Sequence, residues 1–372
     1  MALNTTANSM FLTAETDFGL NMLRQGPASE SLVVSPLSVI FALTMIRAGA
    51  KGTTKSQIDK QIAKGASDDS IVDYYSGLSQ QVLKASNGVQ SRIANGFFLN
   101  NNYQIEKDYE NTIVKKFSAK VEPYDFSKKD ETAKTINDFV STTTEGKIHD
   151  MLKPDALNGA FSVIVNAIYF TAKWQYEFFK SSNTKQKFFS AEGKGKEIDF
   201  MNARMDHRLY AEDDDTQVLS LTYKDTSYAF NIFLPKKRFA LGEVLKKLDG
   251  AKIQNLLSKL QETFITLAIP KMKIETNYEL KGALIKMGIT DLFNSNADLS
   301  GISKSPPLHI SDALHNAIIE VDEEGTTAAA ATMFLPVGSA LILEKPKEFI
   351  ADHPFMFILT KDKNPLFMGQ FV

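Results

Sequence analysis

Cysteine is absent and histidine occurs only five times, at His149, His207, His309, His315 and His353, so the chemistry open to this chain is narrow from the start. Without a thiol there is no disulfide framework, thiolate nucleophile, iron–sulfur ligation or cysteine-built zinc site. The histidines are scattered, and none belongs to a His-Glu-x-x-His pair that would set two imidazoles on one helix face. Neither a Gly-x-Ser-x-Gly elbow nor a phosphate-binding loop ending in Gly-Lys-Ser/Thr occurs. A serine hydrolase would have to be assembled from distant Ser, His and Asp residues, and spacing supports none in particular. Glu212-Asp213-Asp214-Asp215 lacks the alternating ligands and glycine of a calcium loop and reads as a solvated acidic turn. Lys236-Lys237-Arg238 reads as a surface turn after Leu234-Pro235. The motifs predict no catalytic residue, no metal site and no cofactor.

The composition bounds the class of protein. Of 372 residues 43% are hydrophobic and 23% charged, too apolar for disorder and ordinary for a globular chain able to bury its own core. Forty-two basic residues against 44 acidic ones leave a formal charge of −2, without the basic footprint of a dedicated nucleic-acid binder. The longest apolar stretch, 161–172, is interrupted by Asn166 and is too short to span a bilayer. The amino end, Met1 to Ser9, lacks the basic opening and apolar run of a secretory signal, which predicts a cytoplasmic or nucleocytoplasmic protein, or an extracellular one if the sequence is a trimmed mature form. Asn4-Thr5-Thr6 matches a glycosylation acceptor, a triplet common by chance.

The elements that would position any site are mixed in type. Ser35 caps a helical pattern with Pro36 just inside its start, ending near Gly49. Residues 133–144 read as an amphipathic helix closed by Gly146, and 278–287 as a helix closed by Gly288. Strand-like runs rich in β-branched and aromatic residues fall at 92–99, 161–170, 228–234, 264–269 and 355–359. Helices and strands alternate without a βαβ beat, which predicts an α+β fold, and no Pro/Ser-rich linker divides the chain, which predicts one domain over 1–372. One segment breaks the texture. Glu323-Glu324-Gly325-Thr326-Thr327-Ala328-Ala329-Ala330-Ala331-Thr332 joins an alanine run to flanking threonines, with Pro336 and Gly338 close behind, and reads on its own as a flexible loop or a frayed short helix.

An ordered set of motifs is similar to the serpin family. It opens with Ser35-Pro36-x-Ser38, Ala42-Leu43, Gly49 and Thr54, then Asn95-Gly96-x-x-Leu99, and Ile136-Asn137-x-x-Val140 with Thr144-x-Gly146-Lys147-Ile148. It continues through Asn166-Ala167-x-Tyr169-Phe170-x-x-Lys173-Trp174, Leu234-Pro235, Pro270-Lys271, Leu284-x-x-Met287-Gly288-Ile289 and Ala297-Asp298-Leu299-Ser300-Gly301-Ile302. The Glu-Glu-Gly-Thr-Thr-Ala-Ala-Ala-Ala run and His353-Pro354-Phe355-x-Phe357 complete it. The match runs in order from about residue 18 to residue 371. Ser31, Ala172 and Phe139 depart from the residues usual in the family, and the chain stops at Phe371-Val372, slightly short of the usual proline-containing end.

The resemblance implies the serpin fold: about nine helices, three β-sheets and an exposed reactive-centre loop at about 323–353. It implies an inhibitor, not an enzyme. A protease attacks the loop and forms an acyl-enzyme, and the cut loop then enters the central sheet as a new strand. Insertion of roughly 14 residues at about 3.3 Å each carries the linked protease some 45 Å. The inserting strand must be small and uncharged, and Thr326, Ala328, Ala330 and Thr332 alternate on one face with no proline or charge between Gly325 and Thr332. By the same resemblance Gly325 to Thr332 form the hinge, Ser35, Ser38, Asn166 and His315 the shutter beneath the sheet, and Trp174 the breach at its top.

Counting from Gly325 puts the reactive bond between Ser339 and Ala340, with cleavage after Gly338 or Leu341 as alternatives. A small residue in the primary pocket suits elastase-like serine proteases; Leu341 suits chymotrypsin-like ones, and cleavage after Gly338 a papain-like cysteine protease, that is, a cysteine cathepsin. No Arg or Lys lies between Glu324 and Lys345, which disfavours trypsin-like targets. The stretch 69–83 is acidic or neutral, which disfavours activation by heparin. The implied partner is a target protease, with no nucleic acid and no membrane, and the implied state is a monomer that can form loop–sheet polymers. The competing reading is a non-inhibitory relative acting as chaperone, carrier or storage protein.

Overall fold

The computed structural model describes residues 2–63, 65–117, 119–326 and 345–372. Among them are nine α-helices: α1 (Ala2–Leu23), α2 (Pro36–Arg47), α3 (Gly52–Ile62), α4 (Asp68–Leu83), α5 (Lys107–Phe117), α6 (Lys129–Thr143), α7 (Leu241–Lys247), α8 (Gly250–Ser258) and α9 (Leu280–Lys286). The strands are β1 (Leu32–Val34), β2 (Val89–Asn100), β3 (Lys120–Tyr124), β4 (Ser162–Lys173), β5 (Thr184–Ala191), β6 (Lys194–Glu212), β7 (Thr216–Thr222), β8 (Tyr228–Pro235), β9 (Gln261–Pro270), β10 (Met272–Glu279), β11 (Asp312–Val321), β12 (Gly325–Thr326), β13 (Lys347–Ile350), β14 (Phe355–Lys361) and β15 (Asn364–Phe371).

The strands form two hydrogen-bonded ladders. The six-stranded one, which matches the expected central sheet, runs β10-β11-β4-β2-β3, with β12 paired to the end of β4. The nine-stranded one runs β1-β15-β14-β8-β7-β6-β9-β13 with β5 against β6. The two smaller sheets implied by the sequence are joined in it through β6, which slips register against β9 between Ala203 and Asp206. Met205 sits at that slip with a φ of 53°, a left-handed conformation that L-residues adopt at bulges.

Both faces of the central sheet are covered, which is why its strands read as near-continuous apolar runs. On one face Val163, Val165 and Ala167 pack with Ala133, Ile136 and Val140 of α6. On the other, Ile164, Ile168, Phe170 and Ala172 join the main core around α2. Every residue of α2 is buried; its start is fixed by Ser35, whose hydroxyl accepts from the Ser38 amide, and by Pro36 at the first turn. Ala172, one of the departures from the resembling family noted above, lies in regular strand and is 1% exposed.

Several boundaries move. The helix read at 278–287 begins only at Leu280, because Tyr278 and Glu279 are the end of β10, paired to His315 and Leu314. The helix read at 133–144 begins at Lys129. The acidic run after Glu212 is the β6–β7 turn, with Asp213 accepting from the amides of Asp215 and Thr216. No helix among the described residues is long and apolar enough to cross a membrane.

Candidate functional site

Ser35, Ser38, Asn166 and His315 lie within 1% of full burial and form one hydrogen-bond network beneath the middle of the central sheet. The register explains how residues so distant meet. Asn166 of β4 stands opposite Asn95 of β2 and His315 of β11, and His315 stands opposite Tyr278 of β10. Ser35 and Ser38 reach the same row from the start of α2. The Ser38 hydroxyl donates to Asn166 Oδ1 at 2.9 Å, and Asn166 Nδ2 donates to the Ser38 carbonyl at 3.0 Å and to Asn95 Oδ1. The Ser35 hydroxyl donates to the Leu366 carbonyl at 2.6 Å.

The tautomer of His315 follows from its partners. The Ser35 backbone N–H can only donate, and it points at Nε2 at 2.9 Å, so Nε2 is the acceptor. The ring proton is then on Nδ1, donating to Asn166 Oδ1 at 2.6 Å. A second proton on Nε2 would face the Ser35 N–H. Burial pushes the His315 imidazole down to about 3, against an opposing pull from hydrogen bonding to Asn166. In an unfolded or opened chain the ring regains water and titrates near its ordinary 6.5. The stabilisation from a neutral His315 is therefore complete above about pH 6.5 and declines as pH falls toward 3. We expect polymers on mild heating to form faster at about pH 5 than at about pH 7, and His315→Gln to flatten that dependence. Light scattering at the two pH values checks it; an equally steep slope in the variant would exclude His315 as the titrating group.

At the top of the sheet the chain turns back on itself. Strand β11 ends at Val321, a turn closes with the Asp322 amide donating to the Gly325 carbonyl at 2.9 Å, and β12 then pairs antiparallel with β4. Gly325 has a φ of 142°, and a Cβ there would lie 2.1 Å from the Ala172 carbonyl oxygen, so only glycine fits. Trp174, 1% exposed and stacked on Tyr223 at 4.5 Å, holds this turn: its amide donates to the Glu324 carbonyl at 3.0 Å and its indole N–H to the Asp322 carbonyl at 2.8 Å. Glu323 is 3% exposed; its carboxylate takes both contacts of the Lys271 ammonium, at 2.9 and 3.1 Å, and one from the Asn183 amide. Burial would raise the Glu323 carboxyl, but Lys271, a backbone donor and Asn183 outweigh it and hold it below the ordinary value. Lys180 pairs with Glu324 at 2.7 Å.

Below β12 the sheet is shut. β4 and β11 pair directly in parallel from Asp312↔Val163 to Ile318↔Tyr169, and a strand lying between them over those residues is incompatible with that pairing. Gly325 and Thr326 thus lie in strand at the sheet's top edge, opposite Lys173 and Ala172. Thr327, Ala328, Ala329, Ala330, Ala331 and Thr332, and the reactive-bond candidates Gly338, Ser339, Ala340 and Leu341, lie outside the described residues.

A family model described as serpin (serine protease inhibitor) matches residues 13–372. The chain is a serpin. Iripin-2 of Ixodes ricinus is 33% identical over 371 residues, spanning 96% of this chain and 92% of its own. Antichymotrypsin-2 of Bombyx mori is 30% identical, spanning 92% of each. The crystal structure of Serpin48, described as a highly specific serpin of the insect Tenebrio molitor, superposes with a TM-score of 0.87 at 28% identity over 100% of this serpin and 98% of Serpin48. Thyroxine-binding globulin in complex with thyroxine shares the fold, with a TM-score of 0.84 at 24% identity over 96% and 98% of the two chains.

Three residues that contact this network and the turn are not marked by the sequence of this serpin. Asn95 belongs to the polar row, and Lys271 and Asn183 hold Glu323. Asn95 and Lys271 stand inside recognised motifs, yet nothing local pairs them with residues 71 and 52 positions away. Glu323→Lys would put two ammonium groups together at a buried position; we expect it to fold in reduced yield and polymerise faster, while Glu323→Gln keeps the Asn183 contact and loses less. Native gels of the two variants check the order.

Proposed function

We propose that this serpin is an inhibitor that traps a protease as an acyl-enzyme by inserting its cleaved loop into the central sheet. The observation that carries the reading is the junction at the top of that sheet. The chain enters as β12 at a glycine that nothing larger can replace, the sheet is closed directly below it, and the residues that follow are small and uncharged. The polar row of Ser35, Ser38, Asn95, Asn166 and His315 is placed to hold the strands together until the loop is cut.

The bait bond remains Ser339–Ala340, with Gly338 or Leu341 as alternative cleavage points, and the partner is an elastase- or chymotrypsin-like serine protease or a cysteine cathepsin. The likeness to an antichymotrypsin supports the apolar-pocket class. The second reading, a carrier, is favoured by the shared fold with a thyroxine complex, although fold alone carries no function.

Incubation with elastase and with chymotrypsin, followed by denaturing electrophoresis and mass determination of the released fragment, tests the proposal. An inhibitor gives a denaturant-resistant complex with the protease and a fragment that starts just after the reactive bond. A carrier gives cleavage without a complex. The clipped chain must also melt well above the intact one; an equal melting temperature means that no energy was stored and overturns the trap.

A further inference from the structure

Outside the hinge and the polar row, three Arg or Glu side chains among the described residues are buried: Arg47, Arg208 and Glu15. Arg47 pairs with Asp59 and Asp68, and Arg208 with Asp206. Glu15 of α1 is different. It is 0% exposed, and neither of its carboxyl oxygens has a hydrogen-bond partner among the described residues. It sits where α1 meets α4, beside the hydroxyls of Tyr74 and Tyr75. Phe11, one turn earlier on α1, stacks on Tyr74 at 4.0 Å between ring centres and meets Tyr75 edge-on at 5.5 Å.

Counting protons fixes the state of this carboxyl. The Tyr74 hydroxyl donates to Asn364 Oδ1 at 2.8 Å, and the Tyr75 hydroxyl to the Ile62 carbonyl at 2.6 Å. A hydroxyl has one proton to give, so neither tyrosine has one left for Glu15. A carboxylate there would be a buried anion facing oxygens, with neither a cation nor a donor to offset its lost hydration. A carboxylic acid carries no charge and brings its own proton, which can turn onto a free lone pair of a tyrosine oxygen. We propose that Glu15 is held as a neutral acid in the folded chain, and that its proton ties α1 to α4 in a latch that weakens as pH rises.

The charged groups of the neighbouring elements are engaged elsewhere. Arg47 of α2, Asp59 and Lys55 of α3 and Asp68 of α4 pair with one another, and Asp73 of α4 pairs with Lys116. Lys60 and Asp69 are exposed. Lys252 of α8 donates to the Lys247 carbonyl, and Asp17 of α1 accepts from the Gly250 amide. Strands β1 and β15 contain no charged residue. Tyr74 and Tyr75 are left, and burial pushes both phenols up, so they keep their protons. Burial likewise pushes the Glu15 carboxyl well above its ordinary 4.5, against a smaller pull from the two hydroxyls. The unfolded chain loses this proton above about 4.5 and the folded chain keeps it, so folding takes up a proton. The stabilisation is complete below about pH 4.5 and declines as pH rises, until Glu15 ionises in the folded chain. This slope is opposite in sense to that of His315. Tyr74, Tyr75, Ile62 and Asn364 belong to neither β4 nor β11, so opening the seam between those strands leaves Glu15 buried; global unfolding exposes it.

Urea unfolding of the intact chain and of Glu15→Gln at about pH 5.5 and about pH 7 tests the latch. Glutamine keeps the shape and an N–H donor but cannot ionise, and every other titrating group is common to both proteins. The unfolding constant of the parent relative to the variant is expected to rise about 30-fold between the two pH values, tenfold per pH unit. The same ratio at both overturns the proposal. A second measurement needs no variant: with glutamate carbon-13 labelled at the side-chain carboxyl, the folded parent at pH 7 is expected to show one resonance at the position of a protonated acid. If every glutamate resonates as a carboxylate, Glu15 is ionised and the latch does not exist. No protease enters either experiment, so failure here is separate from any failure of the inhibitory reading.

Discussion

Thr326→Arg will still be cut by the target protease yet will no longer hold it. The backbone of Thr326 pairs with Ala172, which is 1% exposed, so insertion carries whatever stands at 326 alongside a buried stretch of β4. An arginine there must either bury an unpaired guanidinium, at a cost of several kcal/mol, or stall the strand at its first step. Hydrolysis of the acyl bond competes with insertion, and a stalled loop loses that race. The number of serpin molecules consumed per protease inactivated is expected to rise about tenfold or more, with the covalent band replaced by the clipped chain. Thr326→Ala, which stays small and uncharged, is expected to inhibit as the parent does. If the arginine variant traps protease as efficiently as its parent, insertion past residue 326 is not part of the mechanism.

Asn166→Ala is expected to give the largest loss of stability of any single substitution in the polar row. Asn166 serves three elements at once: it accepts from Ser38 and His315 and donates to Asn95 and to the Ser38 carbonyl. Alanine leaves at least two of those buried partners unsatisfied, at about 1–3 kcal/mol each, so a loss of about 2–5 kcal/mol is expected. Because the orphaned groups lie between β2, β4 and β11, the loss falls on the closed sheet and not on the periphery. Urea unfolding should shift to lower denaturant, and polymers should form on incubation where the parent stays monomeric. Ser311→Ala, which removes a hydroxyl that accepts from the Phe161 amide at the sheet's lower end, serves as the control for losing one hydrogen bond away from the row. Equal stability of Asn166→Ala and the parent would remove the row from the account of how the sheet stays shut.

The local pattern revealed those elements whose own residues carry the reason for their form. The Ser35 cap with Pro36, and the β-branched strands at 162–173 and 228–235, follow from propensity and burial. The sequence does not mark helix α1, because its Asn- and Thr-rich first turns hold no acidic residue and because Phe11, Ala14, Phe18, Leu20, Met22 and Leu23 bury several sides of it, erasing the periodicity. Strand β6 is not marked in the sequence because eight of its nineteen residues are charged, a ribbon with no apolar alternation. The site divides the same way. Histidine, asparagine and serine became a network only when the register of β2, β4 and β11 laid them in one row, and no spacing along the chain encodes that register.

That row also divides any tear in the sheet into two strokes. A split entering at β12 runs down the seam between β4 and β11 past Ile168 and Ala317, parting backbone bonds and apolar contacts, until it meets the stitch between Asn166 and His315. Passing that point requires breaking the side-chain bond between His315 and Asn166 before the lower seam can open. A loop on its way in should therefore pause about halfway, with the edges from Ala167 upward parted and those from Val165 downward still sealed. Such a half-zipped form would lose amide protection above the stitch and keep it below.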